Sequence, residues 1–228
     1  MTADLSMIGT IDVIYRAAAQ GTRCWVRNDR GQVRELPMAR FMGSSEIAAP
    51  DRIVDEHVIA CCSQHPTLDL GCGPGRFTAS LHHRGSPALG VDMSVAAIEL
   101  TRSRGGAAIC TDLFGPLPAE RCWQQVLLVD GNIGIGGNPV RVLQRAAEML
   151  APQGIVIVEV DPRPLAVSHE MLRWETKDHT SPWFQWSRVG AGALGAVADA
   201  AGLLVTDVRS IHSRMIAVLA AVGSTVKH

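Results

Sequence analysis

A glycine-rich run in the first half of the chain constrains its fold more than any other feature. Residues 67 to 78 read Thr-Leu-Asp-Leu-Gly-Cys-Gly-Pro-Gly-Arg-Phe-Thr. Four residues suited to a buried strand come first, and glycine then occupies every second position through 75. Glycine lets the backbone approach a ligand closely, and a helix that follows points its free N–H groups at that ligand. The run therefore predicts a strand, a ligand-binding loop and a helix from about Arg76.

The spacing of the glycines distinguishes this loop from two other nucleotide-binding loops. A dinucleotide-binding loop has its third glycine three residues after the second, and Arg76 stands at that position. A phosphate-binding P-loop ends in Lys-Ser or Lys-Thr, which this run lacks. The spacing therefore disfavours a nicotinamide dehydrogenase and excludes a P-loop. Asp69 lies inside the apolar strand, where it either braces the loop through hydrogen bonds or contacts the ligand.

The run resembles motif I of the class I S-adenosylmethionine-dependent methyltransferases, which has the form apolar-Asp-apolar-Gly-x-Gly-x-Gly. The resemblance extends from about Leu68 to the C-terminus. It implies that S-adenosylmethionine is the cofactor and that S-adenosylhomocysteine is the product. The cofactor-binding residues that it implies in this segment are Asp69, Gly71, Cys72 and Gly73.

A second cofactor contact is expected at the end of the next strand. Asp92 stands 17 residues after Gly75, where its carboxylate can accept hydrogen bonds from the ribose hydroxyls. The alternative is that Asp92 only caps the following helix, for which Ser94 is a further capping candidate. The resemblance also implies that Met93 lies against the adenine, although the same side chain could simply fill the core.

Further cofactor contacts are implied after the third and fourth strands. Asp112 would meet the adenine amino group, and the backbone N–H of Leu113 would meet a ring nitrogen. A simple turn-forming role is the alternative for Asp112. The backbone at Asp130 and Gly131 would face the methionine part of the cofactor. The chain lacks the Asn-Pro-Pro-aromatic tetrad of the enzymes that methylate adenine or glutamine nitrogens, which disfavours those substrates.

The order of strand and helix patterns predicts the fold class. Strands are expected near 67–70, 87–91, 107–110, 125–130, 154–160, 203–211 and 215–222. Helices are expected near 76–84, 94–104, 139–150 and 190–201. Such alternation requires right-handed crossovers between parallel strands. We therefore expect an α/β fold with a doubly wound, mostly parallel seven-stranded sheet and helices on both faces, and the resemblance implies an antiparallel last strand.

Two segments lie outside this alternation. Residues 1–66 are expected to form an N-terminal cap of a helix at 5–20, a hairpin at 23–36 and a helix at 51–62. Residues 67–228 are expected to form the cofactor-binding domain, with an insertion at 161–189 on the substrate side. Long connections in such sheets are usually functional. The insertion holds Trp174, Trp183, Phe184 and Trp186, which could form a substrate wall or lid, or alternatively a packing or dimer contact.

The composition bears on the methyl acceptor. The net charge is −1 at pH 7 and no block of Lys and Arg occurs, which argues against a nucleic-acid partner. The aromatic insertion favours a small-molecule acceptor, methylated on oxygen or nitrogen by in-line transfer. A hydroxyl acceptor needs a base near neutral pH. His169, soon after the fifth strand, is the leading candidate for that base, and His179 follows it.

Other functions and properties remain open at this stage. An aminopropyl transferase, or a subunit that binds the cofactor without catalysis, would keep the same loop. Oxygen atoms of Asp130, Asn132 and Asp161 could hold Mg²⁺, but no metal site is expected. Because the sequence shows no signal peptide, no bilayer-spanning apolar run and no Cys-x-x-Cys pair, we expect a cytoplasmic monomer or homodimer without a membrane partner.

Overall fold

The computed structural model describes residues 5–44, 47–62, 64–163 and 165–221, with side chains from Gly9 onward. The strands are β1 (Trp25–Asn28), β2 (Val33–Glu35), β3 (Thr67–Leu70), β4 (Ala88–Asp92), β5 (Ala107–Cys110), β6 (Trp123–Leu128), β7 (Leu150–Val160), β8 (Ser168–Glu175), β9 (Phe184–Arg188), β10 (Leu203–Ile211) and β11 (Arg214–Ala221). The helices are α1 (Leu5–Ala19), α2 (Met38–Phe41), α3 (Ala49–Cys62), α4 (Arg76–His83), α5 (Val95–Ser103), α6 (Pro139–Met149) and α7 (Leu194–Ala200).

The larger sheet has seven strands in the order β10-β11-β7-β6-β3-β4-β5. Strands β7, β6, β3, β4 and β5 are parallel to one another, whereas β11 is antiparallel to both β7 and β10. The predicted α/β fold with a mostly parallel seven-stranded sheet and an antiparallel last strand is confirmed. The strand order reverses between β3 and β6, which is where open sheets of this kind bind ligands.

Buried side chains on both faces hold helices against this sheet. The buried residues that face α6 and α7 have even numbers: Leu68, Leu70, Val126, Leu128, Val156 and Val158. The buried residues that face α3 and α4 have odd numbers: Leu127, Val129 and Ile157. This alternation is the period of two that a strand imposes on its side chains. It explains why these strands are apolar throughout and why helices cover both faces.

The smaller sheet has four strands in the order β2-β1-β8-β9. Strands β1 and β2 form the predicted N-terminal hairpin, whereas β8 and β9 form a second hairpin inside the predicted insertion. Val26 of β1 pairs with both Arg34 of β2 and Trp174 of β8. The insertion is therefore an antiparallel extension of the N-terminal hairpin rather than a separate lid. The predicted division at 66/67 stays a prediction.

Three local differences from the sequence-based expectations have physical causes. Strand β7 begins at Leu150, because the predicted break at 151–154 is a bulge that lies between the paired residues Leu150 and Ile155. Strand β6 ends at Leu128, since Asp130 adopts a left-handed backbone with φ of +58°. A short helix, α2, lies in a segment expected to be irregular. In the ranges described, no helix is long and apolar enough to cross a bilayer.

A buried ionic cluster joins the N-terminal helices to the larger sheet. Its members are Arg40, Asp51, Asp55, Arg76, Asp130, Glu159 and Arg214. Arg214 is 5% exposed and donates hydrogen bonds to Glu159 at 2.6 and 2.7 Å and to Asp130 at 3.0 Å. Arg76 pairs with Asp55 and Asp130. Removing one member of such a cluster leaves its partners charged and desolvated, which is strongly unfavourable.

We expect Arg214→Met to lower the free energy of unfolding by about 3–5 kcal/mol, because Glu159 and Asp130 lose a buried partner. Urea unfolding followed by circular dichroism would measure the change. Arg209→Met is the matched control, since Arg209 lies on the neighbouring strand β10 and pairs with Asp207 on the exposed surface. The control variant should unfold close to the wild-type midpoint. Equal destabilisation of both variants would show that the cluster has no special role in stability.

Candidate functional site

The candidate site lies at the carboxyl ends of the parallel strands in the larger sheet. Gly71 directly follows β3, Asp92 ends β4, Asp112 follows β5 and Asp130 follows β6. The pairing of Asp92 with Cys110 brings the ends of β4 and β5 side by side. The structure thus brings the predicted cofactor-binding loops to one edge of the sheet, around the point where the strand order reverses.

Close packing and backbone conformation require the glycines of the loop after β3. The φ of Gly71 is +76° and that of Gly75 is +80°, which is the left-handed region that glycine adopts without strain. A Cβ on Gly71 would lie 2.8 Å from the side-chain nitrogen of Asn132. That nitrogen donates hydrogen bonds to the carbonyls of Leu70 (3.0 Å) and Gly71 (2.8 Å). Asn132 therefore joins the ends of β3 and β6 beneath the loop.

Asp92 holds the glycine-rich loop against β4. One carboxylate oxygen accepts a hydrogen bond from the backbone N–H of Gly73 at 2.9 Å, and the other accepts one from Ser94 at 2.9 Å. Burial raises the pKa of Asp92, and the backbone hydrogen bonds only partly oppose that increase. A carboxylate has about four acceptor sites, and the backbone of Met93 also contributes a hydrogen bond, which leaves one site for a ligand hydroxyl. The ribose assignment stays a prediction that this geometry permits.

The residues predicted to bind adenine lie beyond β4 and β5. The carboxylate of Asp112 accepts a hydrogen bond from the N–H of Phe114 at 2.9 Å, which is the turn-forming role considered above. Leu113 is buried, and its carbonyl accepts a hydrogen bond from Arg145 at 2.9 Å. Met93 is half-buried, and its carbonyl lies 3.4 Å from the sulfur of Cys110. The adenine contacts of these residues stay predictions.

Asp69 lies within β3 and is only 3% exposed. Thr78 of α4 donates a hydrogen bond to its carboxylate at 2.8 Å, so Asp69 braces the helix that follows the loop. The same residue lines the main cavity of the site. Burial raises the pKa of Asp69 from its ordinary value of 3.8 to about 6, and the hydrogen bond from Thr78 limits this shift.

The main cavity lies between the glycine-rich loop and one face of the smaller sheet. Its floor is formed by Asp69, Gly71, Cys72, Gly73, Asp130 and Asn132. Its roof is formed by Val26, Arg34, Leu172, Trp174, Phe184 and Trp186. These roof residues alternate along their strands, as expected for side chains on one face. Gly131 lines a second cavity that adjoins the first and shares Asp130 with it.

Tyr15 of α1 closes one side of the main cavity, and the sequence reasoning did not identify it. Its ring packs edge-on against Trp174, with 5.3 Å between the ring centroids. A Cβ on Gly73 would lie 3.3 Å from its hydroxyl oxygen. Burial, followed by the nearby Asp92 carboxylate, raises the pKa of Tyr15 well above its ordinary value. The hydroxyl is therefore protonated and available as a hydrogen-bond donor. The only sequence signal that could have indicated Tyr15 is that it is the single tyrosine of the chain.

The structure does not place His169 in the main cavity. His169 lies three residues from Leu172 and five from Trp174, and an odd separation puts its side chain on the opposite face of β8. Its Nδ1 lies 2.8 Å from the hydroxyl of Ser187, which donates a hydrogen bond to the carbonyl of Gly137 at 2.7 Å. This geometry argues against His169 as a base that faces the acceptor. The catalytic role of His169 stays a prediction.

Two other expectations for the insertion differ from the structure. Trp183 is 41% exposed and lies 4.7 Å from the guanidinium carbon of Arg173, away from the cavity roof. His179 is exposed in the turn between β8 and β9. Of the four aromatic residues predicted to form a substrate wall, Trp174, Phe184 and Trp186 line the cavity.

The oxygen atoms considered for Mg²⁺ have other partners. The Asp130 carboxylate pairs with Arg76, Arg40 and Arg214. Burial alone would raise the pKa of Asp130, but these guanidinium groups outweigh it and lower the pKa. Asp161 pairs with Arg163. Within the described ranges, no group of three or more His, Cys, Asp or Glu residues is arranged to hold a metal ion.

Comparison with known proteins identifies the type of domain. The family model described as a methyltransferase domain matches residues 67–154, from the start of β3 into β7. The match shows that this segment is similar to the methyltransferase domain. The resemblance to the class I S-adenosylmethionine-dependent methyltransferases is thereby confirmed.

Curated relatives agree with this family over part of their length. The chain is 31% identical over 114 residues to trans-aconitate 2-methyltransferase of Escherichia fergusonii, covering 47% of this chain and 44% of the relative. It is 30% identical over 112 residues to trans-aconitate 2-methyltransferase of Paracidovorax citrulli, covering 46% of this chain and 42% of the relative. The chain therefore spans less than half the length of these relatives.

Solved structures share the fold across almost the whole chain. A methyltransferase from Bacteroides fragilis, in complex with S-adenosyl-L-homocysteine, has a TM-score of 0.75 and 20% identity, with 95% of each chain covered. The 1,6-didemethyltoxoflavin-N1-methyltransferase of Burkholderia thailandensis has a TM-score of 0.60 and 14% identity, with 97% of this chain and 93% of that chain covered. At these identities the likeness concerns the fold of the methyltransferase domain.

The raised pKa of Asp69 predicts a specific pH dependence of stability. The folded state binds the Asp69 proton more tightly than the unfolded state, so this residue reduces stability as pH rises from about 4 to about 6. In Asp69→Asn the side chain stays neutral, and its amide oxygen still accepts a hydrogen bond from Thr78. Between pH 4.5 and 7.5 the variant should gain about 2 kcal/mol relative to the wild type. Urea unfolding at both pH values measures this, and parallel pH profiles would contradict it.

Proposed function

We propose that the protein is a methyltransferase that uses S-adenosylmethionine to methylate a small molecule. The observation that carries this proposal is the cavity between the glycine-rich loop and the aromatic roof. A cofactor at the loop and an acceptor beneath Trp174 and Trp186 would meet inside one shared cavity. A blocked space in front of the loop would have favoured a non-catalytic subunit, and the open cavity therefore supports catalysis.

The residues at the strand ends fit the cofactor in chemical type. Asp92 would accept hydrogen bonds from the ribose, while Met93, Asp112 and Leu113 would contact the adenine. The backbone of the glycine-rich loop, Asp130 and Gly131 would hold the methionine part. Further support comes from Tyr15, whose protonated hydroxyl lies beside the loop. The sulfonium of the cofactor supplies an activated methyl group, and the carboxylates of Asp69 and Asp92 favour a cation nearby.

The protein's own contribution to the reaction is then mainly positioning. Holding two reactants in line can contribute roughly 7–11 kcal/mol to lowering a barrier. Trp174, Phe184 and Trp186 supply an apolar roof that packs on the acceptor and excludes water. Among the described side chains that line the main cavity, no histidine occurs. If the acceptor must lose a proton, the lining carboxylate whose pKa is raised toward neutral is that of Asp69.

The names of similar proteins support a small-molecule acceptor. The curated relatives act on trans-aconitate by name, and the Burkholderia structure is named as an N-methyltransferase of a small heterocycle. Of these names, only that of the Burkholderia protein states the methylated atom, which is a nitrogen. We further propose that the protein acts in the cytoplasm without nucleic acid or membrane, as a monomer or homodimer. Another sulfonium-dependent transferase is the alternative that keeps the same cofactor site.

Calorimetric titration with S-adenosylhomocysteine tests the cofactor assignment. Asp92→Ala should weaken binding by about 1–3 kcal/mol, because hydrogen bonds to a charged carboxylate are lost. Asp178→Ala, in the exposed turn between β8 and β9, is the control and should bind as the wild type does. Since Asp92 also holds Gly73 and Ser94, circular dichroism should establish that the variant is folded. Unchanged affinity in folded Asp92→Ala would exclude the ribose contact, and tighter binding of NADH would contradict the proposed function.

A further inference from the structure

Four arginines line a second cavity that adjoins the main one. They are Arg34, Arg40, Arg163 and Arg188. The two cavities share the side chains of Arg34, Arg40, Asp130 and Trp186. The second cavity is therefore continuous with the space beneath the aromatic roof. A molecule bound under Trp186 would lie close to these arginine side chains.

Three of these arginines already have carboxylate partners. Arg163 donates to Asp161 at 2.5 and 2.9 Å. Arg188 lies 3.5 Å from an oxygen of Glu170. Arg40 belongs to the ionic cluster, where it lies 3.1 Å from Asp51 and 3.2 Å from Asp130.

Arg34 differs from these three arginines. Over the residues that the structure describes, its guanidinium makes no hydrogen bond and no ion pair. The side chain is exposed and lines both cavities. Five N–H donors in a fixed planar arrangement are thus directed at no protein acceptor. A guanidinium with this geometry binds carboxylates through two parallel hydrogen bonds.

The surroundings of Arg34 favour an anion. Although the residue as a whole is exposed, partial desolvation of the guanidinium within the cavity lowers the pKa of Arg34, and the cations Arg188 and Arg163 lower it further, whereas Glu170 and Asp161 partly oppose this effect. The carboxylates of Asp130, Glu159 and Asp161 also line the second cavity, but among its four arginines Arg34 is the one that has no carboxylate partner in the described ranges. A ligand carboxylate would relieve the repulsion between the arginines and would supply the missing acceptor.

Strand pairing sets the position of Arg34 relative to the aromatic roof. Arg34 pairs with Val26, which pairs in turn with Trp174, so the three side chains form one row on the cavity face. A bound molecule could therefore place an apolar or ring-shaped part against Trp174 and Trp186 while an anionic group reaches Arg34. We propose that Arg34 binds a carboxylate group of the methyl acceptor. This proposal rests on the proposed methyltransferase function and narrows its substrate class to organic acids.

The test compares acids with neutral molecules of the same shape. The probes are indole-3-acetate with indole-3-acetamide, cinnamate with cinnamamide, and trans-aconitate with its trimethyl ester. Each is titrated calorimetrically into the full chain, with and without saturating S-adenosylhomocysteine. We expect at least one acid to bind about tenfold or more tightly than its neutral partner, the scale of a charge-assisted hydrogen-bond pair. Absence of an acid preference in all three pairs would overturn the proposal.

Variants identify the residue responsible for the preference. Arg34→Leu should remove it, and Arg34→Lys should restore part of it, because lysine keeps the charge but not the two-pronged geometry. Arg173→Leu is the matched control: it removes a charge from the opposite face of the same small sheet, where Arg173 pairs with Glu175. The control should keep the full acid preference. An acid preference that survives in folded Arg34→Leu would also overturn the proposal.

The affinity for S-adenosylhomocysteine separates this proposal from two other outcomes. In Arg34→Leu that affinity should stay within about twofold of the wild type, a difference well below that of a lost charged hydrogen bond. If it falls as much as the acid affinity, Arg34 holds the carboxylate of the cofactor, and the acceptor assignment is overturned. If the wild type does not bind S-adenosylhomocysteine, the proposed function fails, whereas the acid preference is still measured in its absence.

Discussion

The buried ionic cluster around Asp130 is the interaction on which the geometry of this site depends. Asp130 sits at the end of β6 with a left-handed backbone, and its carboxylate is held by Arg76, Arg40 and Arg214. Its backbone N–H donates to Glu159 at 2.7 Å, which ties the same residue to β7. Helices from the N-terminal segment, the loop helix α4 and the last strand thus converge on one residue at the switch point of the sheet. Because a buried charge is unfavourable without its partners, the positions of these elements depend on one another.

Local patterns in the sequence predicted the larger sheet well. Its strands are buried on both faces, so their apolar runs stand out from the amphipathic helices between them. The alternating glycines predicted the loop, and the structure supplies the physical reason at Gly71, where Asn132 leaves no room for a side chain. From the sequence alone, Arg76 indicates only that the loop is not of the dinucleotide-binding type. Its buried pairs with Asp55 and Asp130 join residues 21 and 54 positions apart, and no local pattern predicts such contacts.

The strand pairing within the smaller sheet could not be predicted from the sequence. Strands β1 and β8 pair although Arg27 and Glu175, whose side chains form an ion pair between these strands, are 148 positions apart. The sequence predicted the hairpin of β1 and β2 but no strands within 161–189, and no local pattern indicates that β1 and β8 pair. Register then determines which side chains face the cavity, because a shift of one residue exchanges the two faces of a strand.

One cause therefore accounts for the placement of both His169 and Arg34. With Val26 opposite Trp174, even-numbered residues of β8 face the cavity and odd-numbered residues face away. His169 is turned toward Ser187, and Arg34 lies in a row with the tryptophan that forms the roof. A cavity with a free guanidinium and without a lining histidine suits an acceptor that is already ionised. Under the proposal made above for Arg34, the register that turns His169 away from the cavity also brings a guanidinium to its wall, which favours an acceptor carrying a carboxylate that is ionised at neutral pH.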